Sequence, residues 1–369
     1  MAAVSVLIPT TEHSDLLPLA IASVQDQSFA DFELLVVGDG ASDDTQEQLS
    51  EIIKMDSRVK YFPNKKGLGH GELHRAKALS QCSGSMVCYL GDDDLWLPHH
   101  LEVMMPLLRE SDFAHTAFLR VKPSGEWDLS PLTLSNARVR SHMLAEKWNF
   151  FGPTCAGHTL DAYRRLPFGW QTKPTDTWSD LHMWRQWLEQ PWLKAITFPL
   201  PTTLTLPTPW RRTMTLDNRR VELEYWFGES RCAGFRSKIE GYAREQLRTF
   251  RQSWLQGLRH AVVMVENAGF KQAEDLVDLV EFNIGAHVDV YYVRSVIAGA
   301  RDESGLALKF ARQATEYWPE SSVAHFRLAR LAAANNDWPL AESAINNAIK
   351  LDPEIPLYHE FLQRCIGRG

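Results

Sequence analysis

The sequence predicts an α/β N-terminal domain built on a mostly parallel sheet, followed by an all-α C-terminal region. Three observations predict it. In the first hundred residues, short apolar runs ending at Pro, Gly or Asp alternate with segments of helical period. Beyond Pro209 proline becomes scarce and helical periodicity takes over. Near the end, small residues and prolines recur at a fixed interval.

The elements follow in order. Val4 to Ile8 reads as a buried strand stopped by Pro9, and Leu16 to Val24 as a helix. Phe32 to Val37 is a second buried strand, ended by Gly38-Asp39-Gly40. Asp44, with Glu47 three residues later, marks a helix start. Val59 to Phe62 is a third strand, Leu73 to Leu79 a helix, and Met86 to Leu90 a fourth strand cut by Gly91-Asp92-Asp93-Asp94. Strand–helix–strand repetition means parallel strands with helices on the faces, and such sheets bind ligands beyond the carboxyl ends of their strands. Thr10-Thr11, Asp39 and Asp92 to Asp94 all fall at that edge.

Residues 110–210 are less regular. Phe113 to Ala117 and Ala195 to Phe198 read as strands, and the Trp-, Pro- and His-rich stretch between them as pocket-forming loops. Leu216 to Val280 reads as helical. Ala307, Ala311, Ala314 and Pro319 each stand 34 residues before Ala341, Ile345, Ala348 and Pro353, the period of the tetratricopeptide helix pair. Leu328, Ala329 and Ala332 sit where the first helix of such a pair packs. The expected division is a sheet domain over 1–213, a helical linker region over 214–285 and tetratricopeptide-like repeats over 286–369. The apolar residues Leu351, Ile355, Leu357, Phe361 and Leu362 point to association with a protein partner or a second copy.

Composition narrows the class. With 44% hydrophobic and 23% charged residues, the chain has the balance of a soluble globular protein. A net charge of −7 argues against a nucleic-acid partner, which needs a basic surface. The 5 cysteines form no CxxC pair and read as buried reduced thiols in a cytoplasmic protein. The start, MAAVSVLIPTTEHSD, lacks the basic region and apolar run of a signal peptide, and no stretch is apolar enough for a transmembrane segment.

Several clusters could carry chemistry. Three carboxylates in Gly91-Asp92-Asp93-Asp94 repel one another, and clustered oxygens suit a hard cation such as Mg²⁺ or Mn²⁺. Asp39, between two glycines, can accept from a base N–H or a ribose hydroxyl, or serve turn geometry alone. The run Gly67-Leu68-Gly69-His70-Gly71 precedes a helix and can turn N–H groups to phosphate, with Arg75 pairing bidentately. His70 and His74 lack an acidic or cysteine partner for zinc. His99-His100 read as surface polar residues. His158 and Asp180 are lone polar groups in aromatic stretches, Asp180 a candidate general base and His158, with Trp178, a candidate on the acceptor side.

Taken together, Val4-Ser5-Val6-Leu7-Ile8-Pro9-Thr10, Ser23-Val24 with Gln27, Phe32 to Val37, Asp39-Gly40, Ser42-Asp43-Asp44-Thr45 and Tyr89 to Trp96 with Pro98 resemble the inverting GT-A glycosyltransferases of the bacterial glycosyltransferase A family. The match covers residues 3–105, with 150–190 resembling the acceptor side less closely. The resemblance implies a GT-A (Rossmann-like) fold, a nucleotide-sugar donor, a divalent metal and one displacement at the anomeric carbon. A UDP-sugar is the expected donor, and a glycan, lipid-linked or protein hydroxyl the acceptor. Carried over, Pro9, Thr10, Thr11 and Asp39 would hold base and ribose, and Arg75 would lie near the phosphates. Asp92 and Asp93 would bind donor, Asp92, Asp93 and Asp94 the Mn²⁺ or Mg²⁺, and Asp180 would be the base. The chain departs from the family pattern at Thr11, Gly38, Ala41 and Gly91. The implied setting is the cytoplasm, peripheral to the inner membrane, in bacterial glycan or glycoconjugate synthesis. The alternative is a catalytically degenerate domain acting as a scaffold through its helical repeats.

Overall fold

The chain opens with β1 (Val4–Thr10), joined through α1 (Leu17–Gln25) to β2 (Phe32–Gly38), then through α2 (Asp43–Met55) to β3 (Val59–Phe62) and through α3 (Glu72–Leu79) to β4 (Met86–Tyr89). The computed structural model describes residues 2–11, 13 and 15–367. All four strands pair in parallel, β1 lying between β2 and β4. VSVLIPT and FELLVVG are buried almost throughout, because helices cover both faces of such a sheet. β1 runs past its expected stop: Pro9 aligns with Val37 and Thr10 with Gly38. The ladder to β4 ends at Leu7, so the missing proline N–H falls where one neighbour has already left. α2 begins one residue before the expected Asp44, because Ser42 caps it by accepting from the Thr45 N–H at 3.3 Å.

The chain continues as β5 (Leu95–Trp96), α4 (His100–Glu110), β6 (Phe113–Thr116), β7 (Leu119–Val121), β8 (Trp127–Leu129) and α5 (Ala137–Ala145). Then come β9 (Ala156–Thr159), α6 (Leu160–Arg164), α7 (Ser179–Leu188), β10 (Ala195–Phe198) and β11 (Thr203–Leu204). The main sheet has the order β10-β6-β9-β4-β1-β2-β3, with β9 antiparallel to both β4 and β6. β9 was hidden in the sequence, since Ala-Gly-His-Thr is no apolar run. Gly157 lets it fit: a Cβ there would lie 2.8 Å from both Cys88 Sγ and the Val87 carbonyl. His100, expected at the surface, is fully buried, its Nδ1 bonded to Thr202 Oγ1 at 2.6 Å and its ring 4.2 Å from that of Trp96.

The helical part runs α8 (Leu216–Glu229), α9 (Phe235–Glu266), α10 (Phe270–Ile284), α11 (Val288–Ala300), α12 (Ser304–Tyr317), α13 (Ser322–Ala334), α14 (Trp338–Leu351) and α15 (Pro356–Ile366). The chain divides into two units, residues 1–247 and 248–369, the division falling inside α9. In the first unit Leu223, Trp226, Phe235 and Ile239 complete a core with Leu95, Leu97 and Leu204. In the second, α12 and α14 begin 34 residues apart, as do α13 and α15. Their buried positions are Ala311, Ala329, Ala344 and Ala348 with Leu328 and Ile345, small residues that let helices approach closely. Among the described residues, no helix is long and apolar enough to cross a membrane.

Candidate active site

A cleft of about 330 Å³ opens beyond the carboxyl ends of β1, β2 and β4. It brings together six residues singled out from the sequence: Pro9, Thr10, Thr11, Asp39, Arg75 and Asp92. His13, Lys66 and His70 line it too. Asp39 is almost fully buried at the end of β2, where Oδ2 accepts from Lys66 Nζ at 2.8 Å and Oδ1 from the Gly67 N–H at 2.6 Å. Burial pushes its carboxyl upward, but Lys66 and the Gly67 N–H overcome that and hold it below the usual range. The loop between β3 and α3 packs directly on Asp39: Gly71, at φ 74°, would place a Cβ only 3.1 Å from Asp39 Cβ.

Arg75, on the buried side of α3, donates from Nη2 to the His70 carbonyl at 2.6 Å and stacks over Trp170, 4.5 Å from its centroid. Its Nε–H has no partner among the described residues, and burial lowers its pKa. Trp170 Nε1 donates to Tyr89 Oη at 2.9 Å, and Tyr89 bonds His158 Nε2 at 2.6 Å. His158 therefore does not face an acceptor. It lies in β9 with no exposure, between the rings of Tyr163 and Trp187, and burial lowers its pKa to about 4. Its role is to complete the hydrogen bonding of a buried aromatic cluster.

The acidic turn splits its three carboxylates. Asp92 Oδ1 meets His13 Nδ1 at 3.0 Å. Asp93 Oδ2 accepts from Thr208 Oγ1 at 2.7 Å and from Arg219 Nη2 at 2.6 Å. Asp94 turns inward, where it accepts from Thr154 Oγ1 and, at 2.8 Å, from the Leu206 N–H. Burial, with Asp93 adding to it, raises Asp94 to about 7. Among the described residues, His13, Asp92 and Asp93 bring ligand atoms within 4.8 Å of one another. Asp94, the third carboxylate expected at the ion, is turned beneath the turn onto Thr154 and Leu206, and His13 lies beside the other two. Two carboxylates suit Mg²⁺ or Mn²⁺, and an added imidazole suits Mn²⁺ better than Mg²⁺.

Asp180 sits in the first turn of α7, where Oδ2 accepts from Asn149 Nδ2 at 2.9 Å and Oδ1 from the Leu181 N–H at 2.8 Å. Burial raises its pKa against those bonds and the charge of Arg75. It is not among the residues lining the cleft. The link is Glu72, whose Oε1 accepts from Ser179 Oγ at 2.6 Å and Oε2 from the His70 N–H at 2.8 Å, tying the glycine-rich loop to the start of α7. Trp178, beside it, is 46% exposed and available to a ligand.

Sequence reasoning missed His13, Lys66 and Arg219. His13 stood in a segment read only for targeting. Arg219 meets Asp93 across 126 residues of chain, with no local signal.

Residues 5–166 match the family model described as glycosyl transferase family 2. The GalNAc(5)-diNAcBac-PP-undecaprenol beta-1,3-glucosyltransferase of Campylobacter jejuni is 37% identical over 115 residues, 31% of this chain and 37% of that protein. The UDP-Glc:alpha-D-GlcNAc-diphosphoundecaprenol beta-1,3-glucosyltransferase WfgD of Escherichia coli is 31% identical over 111 residues, 30% of this chain and 43% of that protein. The chain thus spans less than half the length of either relative. The crystal structure of S. aureus TarS superposes with a TM-score of 0.45 at 17% identity, over 82% of this chain and 53% of that one, too loose a likeness to carry detail.

Proposed function

We propose, from the premise that residues 5–166 form a glycosyl transferase family 2 domain, that the chain moves a sugar from a UDP-sugar to an acceptor hydroxyl by a single inverting displacement. The cleft that collects Pro9, Thr10, Asp39, Arg75 and Asp92 at the strand ends carries this reading. The name of the E. coli relative specifies UDP-Glc, and both relatives are named for undecaprenol-linked substrates, which favours UDP as the nucleotide and a lipid-linked glycan as the acceptor. Work on such an acceptor suits a protein at the cytoplasmic side of the inner membrane.

In this reading Pro9, Thr10 and Thr11 line the base and ribose. Asp39 keeps a lone pair on each oxygen beyond those given to Lys66 and Gly67, enough to accept from the nucleoside. Arg75, which lines the cleft, supplies the positive charge beside the diphosphate. His13, Asp92 and Asp93 hold Mn²⁺ or Mg²⁺. The ion supplies the charge that a departing nucleoside diphosphate needs. Asp180 takes the acceptor proton as the hydroxyl oxygen bonds to the anomeric carbon on the face opposite the leaving group. Its raised pKa makes it a stronger base than an exposed carboxylate. Trp178 offers an exposed aromatic face to an acceptor sugar. The helix pairs of the second unit, read as tetratricopeptide-like, are assigned to association with a protein partner or a second copy.

The test is UDP release from UDP-glucose with an undecaprenyl-diphosphate-linked acceptor, with Mn²⁺ and with EDTA. Release that needs Mn²⁺ supports the assignment. No release, with no thermal stabilisation by UDP, favours the degenerate scaffold, for which the neutralisation of Asp93 by Arg219 is the supporting observation.

A further inference from the structure

Arg219, on α8, is buried to 6% exposure and reaches the acidic turn with both terminal nitrogens. Nη2 lies 2.6 Å from Asp93 Oδ2 and 3.2 Å from Thr208 Oγ1, and Nη1 lies 3.1 Å from His13 Nε2. A guanidinium only donates, so His13 Nε2 must present its lone pair there, while Nδ1–H donates to Asp92. That lone pair and Asp93 Oδ2 are two acceptors that a divalent ion held by these residues could use, and Arg219 already occupies both. The Nε–H of Arg219 has no partner among the described residues, so the side chain is committed to this spot by its two ends alone.

We infer that Arg219 is an internal cation occupying the metal position of the free protein, and that it must withdraw when a divalent ion binds. The inference rests on the metal placement proposed above. Two cations a few ångströms apart in a partly dry cleft repel strongly, so the two cannot share His13 and Asp93. Arg219 therefore lowers the affinity for metal alone and pairs the Asp93 carboxylate in the free protein. It also links the ion to the backbone of α8. The core contacts of Leu223 and Trp226 and the pairing of Glu222 with Arg211 hold the later part of that helix, so a withdrawal of Arg219 would fall on the turns before it.

The experiment measures binding of Mn²⁺ alone to the full chain, by titration of the free-ion EPR signal. Arg219→Gln should bind Mn²⁺ about tenfold more tightly or better, in the range of ordinary site-to-site couplings. Arg219→Lys should fall between it and the wild type, and Asp93→Asn should lose binding. In the wild type, Mn²⁺ should speed amide exchange over residues 216–221, a readout that needs no variant and decides the matter if Arg219→Gln fails to fold. Affinity in Arg219→Gln equal to or weaker than wild type, or unchanged exchange in α8, overturns the inference and leaves the metal placement standing. Mn²⁺ binding that survives Asp93→Asn overturns the placement, and the inference with it.

Discussion

The two units are built from different materials. The first buries Trp96, Trp170, Trp184, Trp187, Phe113 and Phe151 and also the polar groups Glu33, Asp39, Glu72, Arg75, Asp92 and Asp94. The second packs valines, leucines and isoleucines between α9 and α11 and alanines through α12 to α14, and its buried polar residues among those described are Ser295 and His325. Large aromatics leave irregular space that polar side chains can enter and in which their pKa values shift. Alanine lets backbones approach until nothing else fits. A region of the first kind can hold charge at a chosen point, which is what chemistry requires. A region of the second kind is repetitive and nearly featureless inside, and its specificity must lie on its surface.

Acid should separate the two most widely. His100, His115 and His158 are buried in the first unit, and burial lowers their pKa values to about 3, 4 and 4. An unfolded chain takes up these protons as pH falls through about 6.5, whereas the folded unit refuses them until about 4, so acid favours unfolding across that window. Each histidine contributes a slope of about 1.4 kcal/mol per pH unit; Asp94, raised to about 7, takes up its proton in the folded unit over the same window and offsets about one of the three, and the remainder still exceeds the packing substitution below. In the second unit only His287 shows such a lowering. Segment-resolved hydrogen exchange at pH 7 and pH 5 should find protection lost first in residues 1–247. Equal loss in both units would dissolve the contrast.

The next effect is catalytic. Asp180→Asn keeps the shape but removes the base, and turnover should fall by about 10²- to 10⁴-fold while UDP affinity holds. Wild-type turnover in this variant would move the base elsewhere in the first unit. The smallest effect belongs to the second unit. Ala344, 2% exposed in its core, leaves no room for a larger side chain. Ala344→Leu should cost about 1–3 kcal/mol through overpacking, lowering protection in α12 to α15 with UDP binding intact. A loss of UDP binding would show that the two units are not energetically separate.

What could be read in advance follows the same division. β1 to β4 were legible because each is an apolar run closed by turn residues, and the helix starts at Ser304 and Trp338 keep the 34-residue interval of the alanines. The loops at the strand ends placed Asp39 and Asp92 in one cleft. β9 was not legible, because a strand buried in the middle of a sheet needs no apolar run when a glycine permits its approach. The same blind spot turned His158 into an acceptor contact. The direction of Asp94 was not legible, because adjacent residues on a tight turn point in different directions, and only the partners Thr154 and Leu206 reveal which way. Arg219 could not be found at all, since α8 comes to the acidic turn by tertiary packing.

The relay from His158 through Tyr89 and Trp170 to Arg75 has a genetic consequence. The imidazole accepts the tyrosine hydroxyl, that hydroxyl accepts the indole N–H, and the indole face carries the guanidinium at the cleft. A substitution at His158 is thus expected to disturb Arg75 at the cleft. In a mutational screen scored for loss of UDP binding, His158, Tyr89 and Trp170 should share the defect of Arg75. A residue that no ligand atom can reach would carry the phenotype of one that lines the cleft.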